Sequence, residues 1–224
     1  MSKKLTWDAV GEHFYETGTD RGVLYVTDST GAYGTGTAWN GLTGVSQSPS
    51  GAEASPLYAN NKKYLNLISD EEFSFTISAY QSPVEFDVCD GAVQLTKGVT
   101  IGQQPRSTFG MSYRTLLGND TEGTAHGYVI HLIYGATASP SSKEYKSVNA
   151  DPEAIELSWE CSTIPVDFDG MKKPTAHIEI DSTQVDKDKL AALEEMLYGS
   201  ETTDAKLPMP ADLIKLFSVE TAGE

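Results

Sequence analysis

The chain has 224 residues, of which 39% are hydrophobic and 21% charged, and its 32 acidic against 16 basic side chains leave a formal net charge of −16. That length suits one domain, with or without an appendage, and the composition is that of a folded chain rather than a disordered one. The charge excludes a protein that grips nucleic-acid phosphates through a basic surface; it fits a surface that repels DNA, or one that is simply well solvated.

The first residues, Met1-Ser2-Lys3-Lys4-Leu5-Thr6-Trp7-Asp8, have two lysines but no apolar core, so they do not read as a secretory signal. No apolar run approaches the length that spans a bilayer, and a soluble protein made in the cytoplasm is expected. Cys89 and Cys161 are too few for a disulfide framework and read as buried or half-buried thiols. Residues 21–27, Arg-Gly-Val-Leu-Tyr-Val-Thr, are β-branched and aromatic and predict a strand. Gly31, Gly34 and Gly36 punctuate the turn after it.

Residues 37–80 are the stretch around which the rest is expected to be organised. An apolar run containing Trp39, Leu42 and Val45 leads into a linker of small and turn-forming residues, 46–56, with no regular pattern as far as Lys63. A loop of that length inside a compact domain is usually functional. This one carries little charge, ends on Leu57 and Tyr58, and reads as built to lie on something, with an ordinary mobile surface loop as the alternative. Residues 64–68 and 73–80 read as strands. In the second, Phe73, Phe75, Ile77 and Ala79 fall on one face and Ser74, Thr76 and Ser78 on the other, the alternation of a half-buried antiparallel strand.

Residues 82–89 place Pro83 behind a Ser82 cap and predict a helix of about two turns. Residues 98–106 read as an irregular connector with a short extended piece, and 107–117 as a strand. Residues 128–134, apolar on both faces, predict a central strand. Two more alternating strands follow at 154–164 and 175–181. In the first, Ile155, Leu157, Trp159 and Cys161 oppose Glu156, Ser158, Glu160 and Ser162; in the second, Ala176, Ile178 and Ile180 oppose His177, Glu179 and Asp181. Asp186 then caps a helix whose Leu190, Leu193, Met196 and Leu197 share a face, stopped by Gly199. Pro208 and Pro210 introduce a last apolar helical piece, 211–217, expected to dock on its own domain or on a neighbouring subunit.

No catalytic constellation stands out. There is no Walker loop or dinucleotide glycine spacing, and Gly110-Met111-Ser112-Tyr113-Arg114 lacks the second glycine of a nucleophile elbow. His13, His126, His131 and His177 are scattered without metal-ligand spacing, and His131, inside an apolar strand, reads as a satisfied core or interface residue. Asp167-Phe168-Asp169-Gly170 lacks the later acidic ligands of a calcium loop. No metal, cofactor or catalytic residue is expected. Glu156, Glu160, Glu179 and Asp181 lie on the polar faces of two strands expected to be neighbours. They form either an ordinary wet outer face or the wall of a water-filled channel to which a polyanion does not adhere.

Several segments together resemble the major tail proteins, or tail tube proteins, of long-tailed siphovirus-type bacteriophages. They are Glu16-Thr17-Gly18-Thr19-Asp20-Arg21-Gly22-Val23-Leu24-Tyr25, Ala38-Trp39-Asn40-Gly41-Leu42-Thr43, Pro49-Ser50-Gly51-Ala52-Glu53 with Pro56-Leu57-Tyr58-Ala59-Asn60, and Lys63-Tyr64-Leu65-Asn66-Leu67. Gly98-Val99-Thr100-Ile101-Gly102-Gln103-Gln104, Tyr113-Arg114-Thr115-Leu116, Gly118-Asn119-Asp120-Thr121-Glu122-Gly123 and Pro152-Glu153-Ala154-Ile155-Glu156 continue the likeness. It covers about residues 14–182; no single motif is diagnostic, and their order and number carry it.

The resemblance implies a mainly β fold, a two-sheet β-sandwich or partial barrel with a short flanking α-helix, over residues 1–182; the C-terminal helical extension, 183–224, departs from the family's pattern. It implies hexameric rings stacked into a tube, with strands from each subunit joining an inner barrel and the loop at about 46–56 bridging subunits. Trp39, Ser48, Pro49, Glu53, Pro56, Leu57, Tyr58, Asn60 and Tyr64 would make the contacts between subunits and rings. One polar sheet face would line the lumen, with Glu156, Glu160, Glu179 and Asp181 as the candidates for it. The partners implied are further copies of the chain and the tape measure, tail terminator and tail tip proteins, with DNA only as transiting cargo and no membrane. The location implied is the virion tail, after assembly in the host bacterial cytoplasm. The alternative is a β-sandwich binding module, such as a capsid decoration or adhesion protein.

Overall fold

A computed structural model describes residues 4–147 and 154–217. Met1–Lys3 of the N-terminal reading, Pro152 and Glu153 of the last resemblance segment, and residues 218–224 of the C-terminal extension lie outside the described residues. The chain is mainly β and sandwich-like. Its strands are β1 (Tyr15–Val26), β2 (Thr37–Ala38), β3 (Leu42–Gln47), β4 (Ser50–Gly51), β5 (Ala54–Ala59), β6 (Lys62–Ile68), β7 (Glu71–Glu72) and β8 (Ser74–Ala79). Then come β9 (Val93–Thr96), β10 (Val99–Ile101), β11 (Phe109–Asn119), β12 (Gly123–Ala138), β13 (Leu157–Thr163) and β14 (His177–Asp181), before helices α1 (Lys187–Tyr198) and α2 (Pro210–Phe217).

One antiparallel sheet runs in the order β2-β1-β11-β12-β13-β8-β3, and β14 also pairs with β12. The apolar run predicted at 128–134 is the middle of the 16-residue strand β12. One edge of β12 meets β11, while the other meets β14 over Val129–Ile133 and β13 over Ala136–Ala138. The changeover falls at Gly135, which has φ +60°, and a Cβ there would sit 2.2 Å from the carbonyl oxygen of Ile164. Only glycine fits, and the kink lets one strand serve both halves of the sandwich.

Two apolar clusters hold the body together. The interior one joins Phe75, Ile77, Met111, Ile133 and Cys161 to an aromatic knot in which Phe86 lies 4.7 Å from Trp39 and 5.2 Å from Trp159, centroid to centroid. The second covers the outer face of β1, β12 and β14 with the C-terminal helices. Val23, Tyr25, Ile130, Leu132, Tyr134 and Ile180 there meet Leu190, Leu193, Leu197, Leu207 and Leu213. The C-terminal helices therefore dock on their own chain. Asp186 caps α1 as its sequence predicts, its carboxylate accepting from the backbone N–H groups of Asp188 and Lys189, and Gly199 follows the last turn with φ +76°. Tyr25 locks the seam by donating to the Leu197 carbonyl at 2.8 Å, and Tyr134 donates to the Pro208 carbonyl at 2.8 Å. Cys89 and Cys161 are free and buried, and burial pushes both thiols up to about 12.

Two expectations are corrected. The predicted two-turn helix at 82–89 is a single 3-10 turn, Val84–Phe86, capped by Pro83 rather than Ser82, followed by turns to Gly91. Its purpose is to insert Phe86 into the aromatic knot. The short extended piece expected in the connector at 98–106 is present as β10, which pairs with β9 as an exposed hairpin. The patternless loop at 46–63 is regular: β3 pairs with β8, β4 with β7 and β5 with β6. Gln47 faces Phe75, Gly51 faces Glu71, Ala54 faces Ile68 and Leu57 faces Leu65, so each advance along one strand is matched by an equal retreat along the other. Residues 42–79 are thus one antiparallel ribbon, rooted in the sheet and turned at its tip by Asn60 and Asn61, both with positive φ.

Candidate functional site

The distal part of this ribbon is the first candidate site. Every residue of β5 and β6 is exposed. At about 3.3 Å per residue the ribbon reaches about 40 Å beyond Gln47. Residues directly opposite share a face, so the pairings put Leu57, Leu65 and Leu67 on one side and Pro56, Tyr58, Tyr64 and Ile68 on the other. Tyr58, Tyr64 and Ile68 are 71%, 71% and 69% exposed. An isolated two-stranded ribbon is marginal in water, and contiguous exposed apolar surface of this kind marks an interaction site. The β9–β10 hairpin, with Val93, Leu95, Val99 and Ile101 exposed, is a smaller surface of the same type.

Of the contact residues expected from sequence, Ser48, Pro49, Glu53, Pro56, Leu57, Tyr58, Asn60 and Tyr64 are all exposed along this ribbon. Trp39 is the exception. It is only 4% exposed, its indole N–H donates to the Gln81 carbonyl at 3.0 Å, and it belongs to the interior of its own subunit. That expectation is corrected: a large ring with a satisfied polar tip is a core anchor here.

The four acids divide. Glu160 is exposed on the outward side of β13 beside the β8 hydroxyls, in a groove also lined by Ser48, Ser74, Thr76, Ser139 and Ser162. Glu156, just before β13, accepts from the Thr43 hydroxyl. Glu179 and Asp181 are on β14, which pairs with β12 and not with β13. The two strands expected to be neighbours share β12 as a partner instead. Their acids do not form one surface, because the Gly135 kink separates the segments of β12 that they meet.

A second cluster gathers where β11, β12 and β14 run side by side. His131 lies opposite Tyr113 in β11 and opposite Glu179 in β14. Its Nδ1 is 3.2 Å from Nε2 of His177 and 3.5 Å from Oε1 of Glu179, which in turn is 3.8 Å from the His177 nitrogen. Gln47, at the root of the ribbon, brings its side-chain amide within 3.4 Å of both ring nitrogens and donates to the Tyr113 hydroxyl at 2.9 Å. Tyr113 stacks on His131 with centroids 4.5 Å apart, and Phe73 stacks on His177 at 4.6 Å. Burial drives the His177 pKa down to about 4. For His131 burial and the neighbouring His177 act downward, against the carboxylates of Glu179 and Glu16. The reading of His131 as a satisfied core histidine holds: it is 3% exposed and its Nε2 lies 2.9 Å from the Thr115 hydroxyl.

This cluster was invisible in the histidine spacing. His131 and His177 meet only because β14 pairs in register with β12, and Gln47 arrives from a segment read as irregular. The one sequence signal was parity: His177 and Glu179 fall on the same side of a strand. No family model matches the chain, and no curated protein matches it.

Proposed function

We propose that the chain is a structural, non-catalytic subunit that assembles with copies of itself into stacked rings, a phage-type tail tube that conducts DNA without binding it. The observation that carries this reading is the ribbon formed by residues 42–79, whose distal part bears apolar side chains on both faces with every residue of β5 and β6 exposed. A contact in which the ribbon of one subunit lies on a different surface of the next is heterologous. Such contacts close into rings in one direction and propagate as stacks in the other. Covering the ribbon in this way also removes a long open strand edge that would otherwise invite aggregation.

The face of β8 and β13 carrying Ser74, Thr76, Ser78, Ser158, Glu160 and Ser162 is the side proposed to line the lumen, joined by Glu156. It is polar, and the C-terminal helices cover the opposite part of the body. Glu179 and Asp181 are left out of that wall. The proposed location is the virion, with tape measure, terminator and tip proteins as partners. No helix among the described residues is long and apolar enough to cross a membrane. The test is negative-stain electron microscopy of the concentrated protein, alone and with tail-tip components. Rings or hollow tubes of uniform width are expected; particles that stay monomeric in both conditions would favour a binding module instead.

A further inference from the structure

Three side chains around the β12–β14 pairing bring a nitrogen, a nitrogen and a carboxylate oxygen close together. Nδ1 of His131, Nε2 of His177 and Oε1 of Glu179 lie 3.2 to 3.8 Å from one another. The far nitrogen of His131 decides its tautomer. The Thr115 hydroxyl contacts the Glu16 carboxylate, which only accepts, so its hydrogen goes there and its oxygen accepts from His131 Nε2–H. The lone pair of His131 is therefore on Nδ1, aimed at His177 and Glu179. A histidine whose outer N–H is held by a hydroxyl and carboxylate relay is oriented as metal-ligating histidines are.

We propose that His131, His177 and Glu179 form a binding site for a divalent transition-metal ion of borderline softness, with Zn2+ as the reference case. Two imidazoles and one carboxylate are a ligand set of zinc sites that keep an open position. Bonds of about 2.0–2.1 Å in a tetrahedral arrangement put ligand nitrogens about 3.3 Å apart, and here they are 3.2 Å apart. The rings are parallel and edge to edge, with centroids 5.4 Å apart. The ion therefore sits off the line between the nitrogens, on the Glu179 side, and each ring pivots toward it. His177 shifts its proton from Nε2 to Nδ1 as the ion replaces the N–H···N contact. The half-exposed Glu179 side chain supplies the approach from solvent, and water takes the fourth position. Such an ion ties β14 to β12 directly beneath the root of the ribbon.

The test uses the full chain, unassembled and treated with chelator, titrated with Zn2+ by calorimetry and with Co2+ by visible spectroscopy. Binding of one equivalent is expected, together with a rise in Tm and ligand-field bands of four- or five-coordinate Co2+. Glu179→Gln and His177→Gln are expected to abolish it. Thr115→Val, which removes the outer hydroxyl relay to His131 and Glu16 but none of the three ligands, is expected to weaken it by about tenfold. His126→Gln, at a surface His–Glu pair, should leave it unchanged. If His177→Gln does not fold, the ring 15N shifts of wild-type protein decide, since Nδ1 of His131 and Nε2 of His177 should both move with Zn2+. No binding by wild-type protein, or binding unaffected by Glu179→Gln and by the ring-shift criterion, would overturn the site.

Discussion

The two ends of the ribbon share one ladder and have opposite fates. Near the body, Phe75, Ile77 and Ala79 are sealed inside the sandwich, between β13 on one side and β3 on the other. Beyond Gly51 the same antiparallel pairing continues with every residue of β5 and β6 exposed, yet it still carries leucines, tyrosines and an isoleucine. Backbone pairing is the same in both halves, so the contrast isolates side-chain burial. The proximal half stabilises the folded chain, and the distal half leaves apolar surface exposed, the surface that the proposed assembly would cover.

The largest expected effect comes from separating the halves. Replacing residues 52–70 with Asn-Gly, a two-residue hairpin turn, should abolish rings and tubes while leaving the monomer Tm within a few degrees, read by electron microscopy and calorimetry. The converse change is Ile77→Ala, at a fully buried position of the proximal half. It should cost about 2–5 kcal/mol in denaturant unfolding, through lost transfer free energy and a cavity, and leave assembly competent below the lowered Tm.

A smaller effect is expected at the junction. Gly51 has φ +84°, and a Cβ there would lie 2.3 Å from the Asp70 carbonyl oxygen. Gly51→Ala should weaken local pairing by roughly 1–3 kcal/mol, seen as faster amide exchange in β5 and β6 with little change in global stability. The smallest belongs to the body alone. Asp20 accepts two hydrogen bonds from Arg114, at 2.7 and 2.6 Å, and that guanidinium holds its carboxyl below the usual carboxylate range. A depressed carboxylate contributes stability above its unfolded pKa and loses it as pH falls through the folded one. Asp20→Asn should flatten the loss of stability below about pH 4, and the shortened-ribbon variant should retain it.

Much of the body was legible because burial imprints a period. The alternations at 73–80 and 154–164, the doubly apolar run that became β12 and the Asp186 cap each correspond to one physical demand: one buried face, two buried faces, or orphan N–H groups. The distal ribbon was not legible for the same reason. With both faces exposed no alternation is imposed, and Pro49, Gly51 and Pro56 read as breakers although Pro56 sits within a strand. Trp39 misled because an aromatic in a loop looks like a contact residue, whereas its partners Phe86 and Trp159 lie far along the chain. The histidine cluster depends on strand register between distant segments, which spacing does not encode.

Amide hydrogen exchange across residues 42–79, in dilute monomer and in concentrated assembled protein, tests the central claim most directly. Amides of β8 are expected to be protected equally in both, while those of β5 and β6 exchange fast in the monomer and become protected on assembly. Distal amides that exchange alike in the two states would mean that this ribbon is not the surface through which copies of the chain meet.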